Sequence, residues 1–129
     1  MTTKTEIHNK AVEVAACKLI ENGISTVSGI TRGTDLVLDT DETIRVRGLR
    51  EEVGVILMNG STDTINTDYL MIVTNLDYTI KKIYIMSTDN AKNIADICEC
   101  ERDRCDESII SVTNYRTHRD NYTVLNRGR

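Results

Sequence analysis

Gly33-Thr34-Asp35-Leu36-Val37-Leu38-Asp39, a polar turn at Thr40-Asp41-Glu42, and then Ile44-Arg45-Val46-Arg47-Gly48 form the stretch whose reading decides the fold. A short apolar run enters and leaves through charged residues, and a second run alternates apolar with basic. Period-two alternation is the mark of a strand with one face buried. Residues 35–39 and 43–49 therefore read as two strands joined by a turn. Ile44 and Val46 share one face of the second strand, and Arg45 and Arg47 share the other.

Upstream, the spacing predicts a helix over residues 5–22. Thr3 followed by Glu6 fits a capping box. Ile7, Ala11, Ala15 and Leu19 recur at helical spacing, widened by Val12, Ala16 and Ile20. Asn22-Gly23 closes the helix, because glycine takes the left-handed position after a helix end at low cost. A short strand follows over 25–28. Downstream, residues 53–58 read as a strand ended by the turn dipeptide Asn59-Gly60. Residues 68–74 are nearly all apolar, as in a central strand buried on both faces. Residues 82–86 pair with them across a turn. Ser87 or Thr88 caps a second helix over 90–98, and the tail keeps one β-like stretch at 109–113. This order gives a mixed sheet flanked by helices, in the α/β (α+β) class.

The chain has 129 residues, which reads as a single domain over 1–129 able to bury a respectable core. It has no Phe, Trp or Pro, and its only aromatic residues are five Tyr, so the core falls to Ile, Val, Leu, Met and Ala. A stacking platform for single strands, which needs several exposed rings, is disfavoured. The net charge of −4 counts against avid non-specific DNA binding. The basic residues are clustered all the same: Arg45, Arg47 and Arg50 lie close together, and Arg116, His118, Arg119, Arg127 and Arg129 crowd the C-terminus. No apolar run approaches the ~20 residues of a membrane span, so no membrane partner is expected. The polar N-terminus has no signal-peptide character. The expected compartment is cytoplasmic, where cysteines stay reduced.

Taken together, the motifs resemble the restriction-endonuclease-like, or PD-(D/E)XK, nuclease superfamily, over residues 10–125. The resemblance rests on Glu13-Val14-Ala15-Ala16 in the first helix, Gly33-Thr34-Asp35 entering a strand, and Ile44-Arg45-Val46-Arg47-Gly48. In that family the last motif is apolar–acid–apolar–Lys–Gly. The resemblance implies Glu13 and Asp35 as ligands of Mg²⁺, a hard cation that takes oxygen donors and activates water beside the scissile phosphate. It implies an acid at Arg45 and a lysine at Arg47.

Both positions are arginine. Arg45 repels a cation. Arg47 keeps its proton at any ordinary pH and is never a base, although it can hold a phosphate. Asp39 shares the strand face of Asp35 at period two and offers a replacement acid. Two functional classes follow. The first is a degenerate relative that binds nucleic acid or a protein partner through Arg45, Arg47 and Arg50, with no cofactor. The second is an active Mg²⁺-dependent DNA endonuclease with rearranged ligands. Assembly of the chain with itself, as a homodimer, is a third possibility. The plainest account of Arg45 and Arg47 is a solvated sheet face. A middle reading turns both arginines toward Glu13 and Asp35 in a metal-free salt-bridge cluster.

Cys98, Cys100 and Cys105 lack the spacing of a zinc site, so neither zinc nor a disulfide is expected. Cys17 reads as a small buried residue. His8 and His118 have no triad pattern and read as surface residues.

Overall fold

The computed structural model describes residues 3–29, 33–59, 66–97 and 107–126. Helix α1 (Lys4–Glu21) starts where the capping box places it, with the Thr3 hydroxyl accepting the Glu6 amide at 3.1 Å. It ends at Gly23, whose φ of 76° is the left-handed conformation expected there. Strands β1 (Thr26–Ser28), β2 (Leu36–Leu38), β3 (Thr43–Gly48), β5 (Tyr69–Thr74) and β6 (Lys82–Ser87) form a five-stranded sheet in the order β1-β2-β3-β5-β6. Within it β3 and β5 are parallel and the other pairs antiparallel, so the sheet is mixed.

Every residue of β5 is buried, as its unbroken apolar run predicts. Its side chains alternate between two cores. Tyr69, Met71 and Val73 join Ala11, Ala15 and Leu19 of α1, together with Ile44 and Val46 of β3. Leu70 and Ile72 pack with Tyr84, Met86, Ala91, Ile110 and Tyr115 on the other side. The molecule is thus a helix, a sheet and a second layer. Ser87 caps α2 (Thr88–Ile94) by accepting the Asn90 amide at 3.1 Å.

The second layer departs from the sequence expectation. β4 (Val55–Asn59) stays out of the main sheet and pairs with β8 (Glu107–Ile110), which also pairs with β7 (Asp96–Ile97). Where a strand over 109–113 was expected, β8 ends at Ile110 and Ser111 caps a one-turn helix, α3 (Val112–Tyr115). Beyond it the chain rounds the β6 edge. Arg119 bridges to Tyr84, and Asp120 donates its amide to the Ile83 carbonyl at 2.9 Å. Leu125 then enters the α1 core.

Cys17, expected inside, is exposed. Cys98, Cys100, Cys105, Arg127, Arg129 and Gly60 lie outside the described residues. No helix among the described residues is long and apolar enough to cross a membrane.

Candidate functional site

The site arises where β2 and β3 part. Their register covers Leu36↔Ile44 and Val37↔Thr43, and the last rung is the Asp35 amide donating to the Ile44 carbonyl at 3.0 Å. β3 runs on while β2 has already begun, so the outer edge of β3 past Ile44 has no described strand beside it. Asp35 fills that gap with its side chain. Its Oδ2 accepts the Val46 amide at 2.7 Å, satisfying a group that a longer β2 would have paired. Its Oδ1 lies 2.7 Å from His8 Nε2, and the Arg45 Nη1 stands 3.7 Å from Oδ2. A carboxylate only accepts, so His8 presents Nε2–H to Asp35.

A cavity of about 460 Å³ opens beside this cluster. Lys4, His8, Arg45 and Arg47 line it with Thr5, Ile7 and Gly48, so among the described residues three side-chain cations and no carboxylate face it. The positive end of the α1 dipole lies at the same end of the fold. Gly48 makes the closeness of helix and strand possible: a Cβ there would sit 2.5 Å from the Ala11 Cβ. Only glycine lets α1 descend far enough for Lys4 and His8 to stand over β3. A neighbouring hollow of about 540 Å³ shares Ile7 and Gly48 and adds Leu49, Arg50, Val53 and Asp77. There Arg50 Nε is held by Asp77 Oδ2 at 2.6 Å.

Of the residues expected together, the structure joins Asp35 and Arg45 and puts Arg47 beside them. Glu13 is not among them. It is exposed and borders a separate hollow of about 300 Å³ with Lys10, Cys17 and Lys81. The reason is helical geometry: at about 100° per residue, Glu13 stands about 200° round from Ala11, which faces the sheet. In place of the cluster expected with Glu13, Asp35 meets His8 and Arg45. His8, expected on the surface, is only about 60° from Ala11 on the same wheel, on the flank of the buried stripe. Asp39 does not approach either. It is exposed at the far end of β2, about 13 Å from Asp35 along an extended chain, and borders another hollow with Asp41. His118 sits elsewhere, half-buried with Nε2 3.4 Å from Asn90 Nδ2, and burial pushes its pKa down.

The Mg²⁺ that the resembled family uses does not fit these residues. Both oxygens of Asp35 are engaged, a guanidinium stands where a second acid would be, and Glu13 faces away. No group of three or more His, Cys, Asp or Glu among the described residues is placed to hold a metal ion.

A second carboxylate cluster lies around Glu52, just before β4. Tyr84 donates its hydroxyl to Glu52, with Lys82 Nζ at 3.5 Å and Arg116 Nη2 at 3.9 Å. Tyr115 meets Tyr84 edge-on at 4.8 Å and donates its hydroxyl to the Val53 carbonyl at 2.6 Å. The Tyr84 hydrogen bond holds the Glu52 carboxyl below the ordinary range against desolvation, and Lys82 and Arg116 add to it. Burial, then Glu52, pushes Tyr84 up to about 12.

No family model and no curated protein matches the chain. Among solved structures it superposes on a bacterial homing endonuclease, I-Ssp6803I, with a TM-score of 0.62. The fold is nuclease-like. The two chains share 10% sequence identity over 96% of this chain and 93% of the other. At that identity the likeness carries the fold and not the side chains at the parting of β2 and β3.

Proposed function

We propose that this chain is a degenerate relative of the PD-(D/E)XK nucleases that grips the phosphate backbone of nucleic acid without a metal. The observation that carries this reading is Arg45 beside Asp35, at 3.7 Å, on a cavity that Arg47 and Lys4 also line. The guanidinium supplies the positive charge that a cation brings to a nuclease site. A fork of N–H donors fits phosphate oxygens better than it fits water. Asp35 is then a positioning group: it orients Arg45 and His8 and closes the open edge of β3. The likeness to a homing endonuclease supports nucleic acid as the source of that phosphate.

The overall charge of −4 keeps the footprint small. With two or three phosphates held, log affinity falls against log salt with a slope of about −2 to −3. The test is fluorescence anisotropy with short DNA and RNA, single-stranded and duplex, run with chelator and with Mg²⁺ or Mn²⁺. The expected result is salt-sensitive binding that persists in chelator and is lost in the Arg45→Ala, Arg47→Ala double variant. Cleavage of DNA that requires Mg²⁺ and disappears in Asp35→Ala would instead establish the rearranged endonuclease.

A further inference from the structure

The phosphate-binding reading leaves His8 without a task, and its placement suggests one. An imidazole that only balanced charge would serve as well on any exposed turn. Here it stands on the wall of the cavity, half-buried, with one ring nitrogen committed to a carboxylate at 2.7 Å. Nε2–H points to Asp35, so the neutral ring carries its lone pair on Nδ1. A carboxylate behind a histidine fixes the tautomer and steadies the imidazolium once a proton has been taken. The same cavity holds Arg45, Arg47 and Lys4, which are donors suited to charge growing on a phosphoryl group.

We propose, building on the phosphate-binding reading, that this notch cleaves RNA without a metal, His8 acting as general base on the ribose 2′-hydroxyl. The choice of RNA follows from the residues. The described residues of this notch do not suit a cation, so none of them lowers the pKa of a water molecule enough to attack DNA. RNA carries its own nucleophile one bond from the phosphate, already at high effective concentration. Nδ1 of His8 removes the 2′-hydroxyl proton as the 2′-oxygen–phosphorus bond forms. The phosphorus–O5′ bond breaks, and the departing oxygen takes a proton from water. The imidazolium returns its proton to the hydroxide so formed. The products are a 2′,3′-cyclic phosphate and a 5′-hydroxyl end, and no oxidant, reductant or metal is consumed. His8 is the catalytic residue, Asp35 positions it, and Arg45 and Arg47 meet the charge on the equatorial oxygens.

The experiment incubates the whole protein with an end-labelled mixed-sequence RNA and the matching DNA, in excess chelator, with binding followed in parallel. The expected result is slow RNA cleavage leaving cyclic phosphate ends, DNA bound but intact, and no cleavage at a nucleotide carrying a single 2′-deoxy substitution. His8→Gln should lower the rate by about 10²–10⁴-fold while affinity stays within a few-fold. Free imidazole should restore part of the activity of His8→Gly, a rescue that a purely structural histidine would not show. RNA that is bound yet stays intact overturns this inference and leaves the phosphate-binding reading standing. Cleavage that survives His8→Gln, or that requires Mg²⁺, overturns it too. Failure to bind RNA or DNA at all removes both.

Discussion

Asp35 and Glu52 are two carboxylates, each mostly buried and each met by basic side chains, and they differ in what surrounds them. The Glu52 side chain is 19% exposed and Asp35 10%, so depth does not separate them. Their neighbours do. Glu52 is met by a tyrosine hydroxyl from a ring that is fully buried, with a second ring packed edge-on behind it. Its cluster closes on itself and ties the segment before β4 to the second layer. Asp35 is met by a strand-edge amide, a helix histidine and an arginine, and beyond them lies a cavity lined by cations. A polar network fastened to core rings holds the fold. One placed where two strands diverge leaves room for a ligand.

Substitutions in the two regions test that contrast. The largest effect is expected at Gly48, on which the notch depends. Gly48→Val should push α1 off β3 and cost about 3 kcal/mol, since the Cβ would meet Ala11 at 2.5 Å. Chemical denaturation measures this, and phosphate binding should fall with it. Glu52→Ala comes next. It leaves the buried Tyr84 hydroxyl short of its acceptor, at about 1–3 kcal/mol of stability, with nucleic-acid affinity unchanged. Equal loss of affinity would show the two clusters to be coupled.

Stability should also bend at both ends of the pH scale. The lowered pKa of Glu52 contributes stability that is present above its ordinary 4.5 and is lost as pH falls through the depressed folded value. Glu52→Gln should flatten that acid limb in a melting-temperature series. Tyr84, Tyr115 and Tyr122, each raised to about 12 chiefly by burial, act in the other direction. Their contribution is whole below the ordinary 10 and disappears as pH rises toward 12. Tyr84→Phe should soften the alkaline limb. The smallest effect on folding is expected at His8: with its side chain 35% exposed, His8→Gln should change stability by less than about 1 kcal/mol. A loss several times larger would make the Asp35 cluster as structural as the one around Glu52.

Much of the frame was legible in the chain. The cap at Thr3, the left-handed Gly23 and the uninterrupted apolar run of β5 are local signals, and local signals survive folding. The strand over 55–59 was legible from the run at 53–58, that over 107–110 only in part from the run at 109–113, and neither as a member of a separate sheet. An apolar run records that a strand is buried, and the partner is chosen by contacts distant in sequence. The small helix over 112–115 follows from Ser111, whose hydroxyl accepts the Asn114 amide at 3.4 Å and offers the backbone an alternative to the strand. At the site, Asp35 and Arg45 were legible together because a strand edge and its partner are neighbours in sequence. Glu13 fits a motif of the resembled family and His8 fits none, although the spacing of each from Ala11 decides where it stands. Counted round the helix, Glu13 falls away from the sheet and His8 falls beside it.

The turn of the tail past β6 gives the sheet a direction of growth. Amides and carbonyls along an edge strand invite another chain to pair with them, which is the route to swapping and fibre formation. On the β6 side, Arg119 and Asp120 already occupy that role at Tyr84 and Ile83. Among the described strands, β1 has a neighbour on one side only, and it offers a visitor just three residues. A sheet guarded by its own tail at one margin and curtailed at the other gives a foreign strand little to hold.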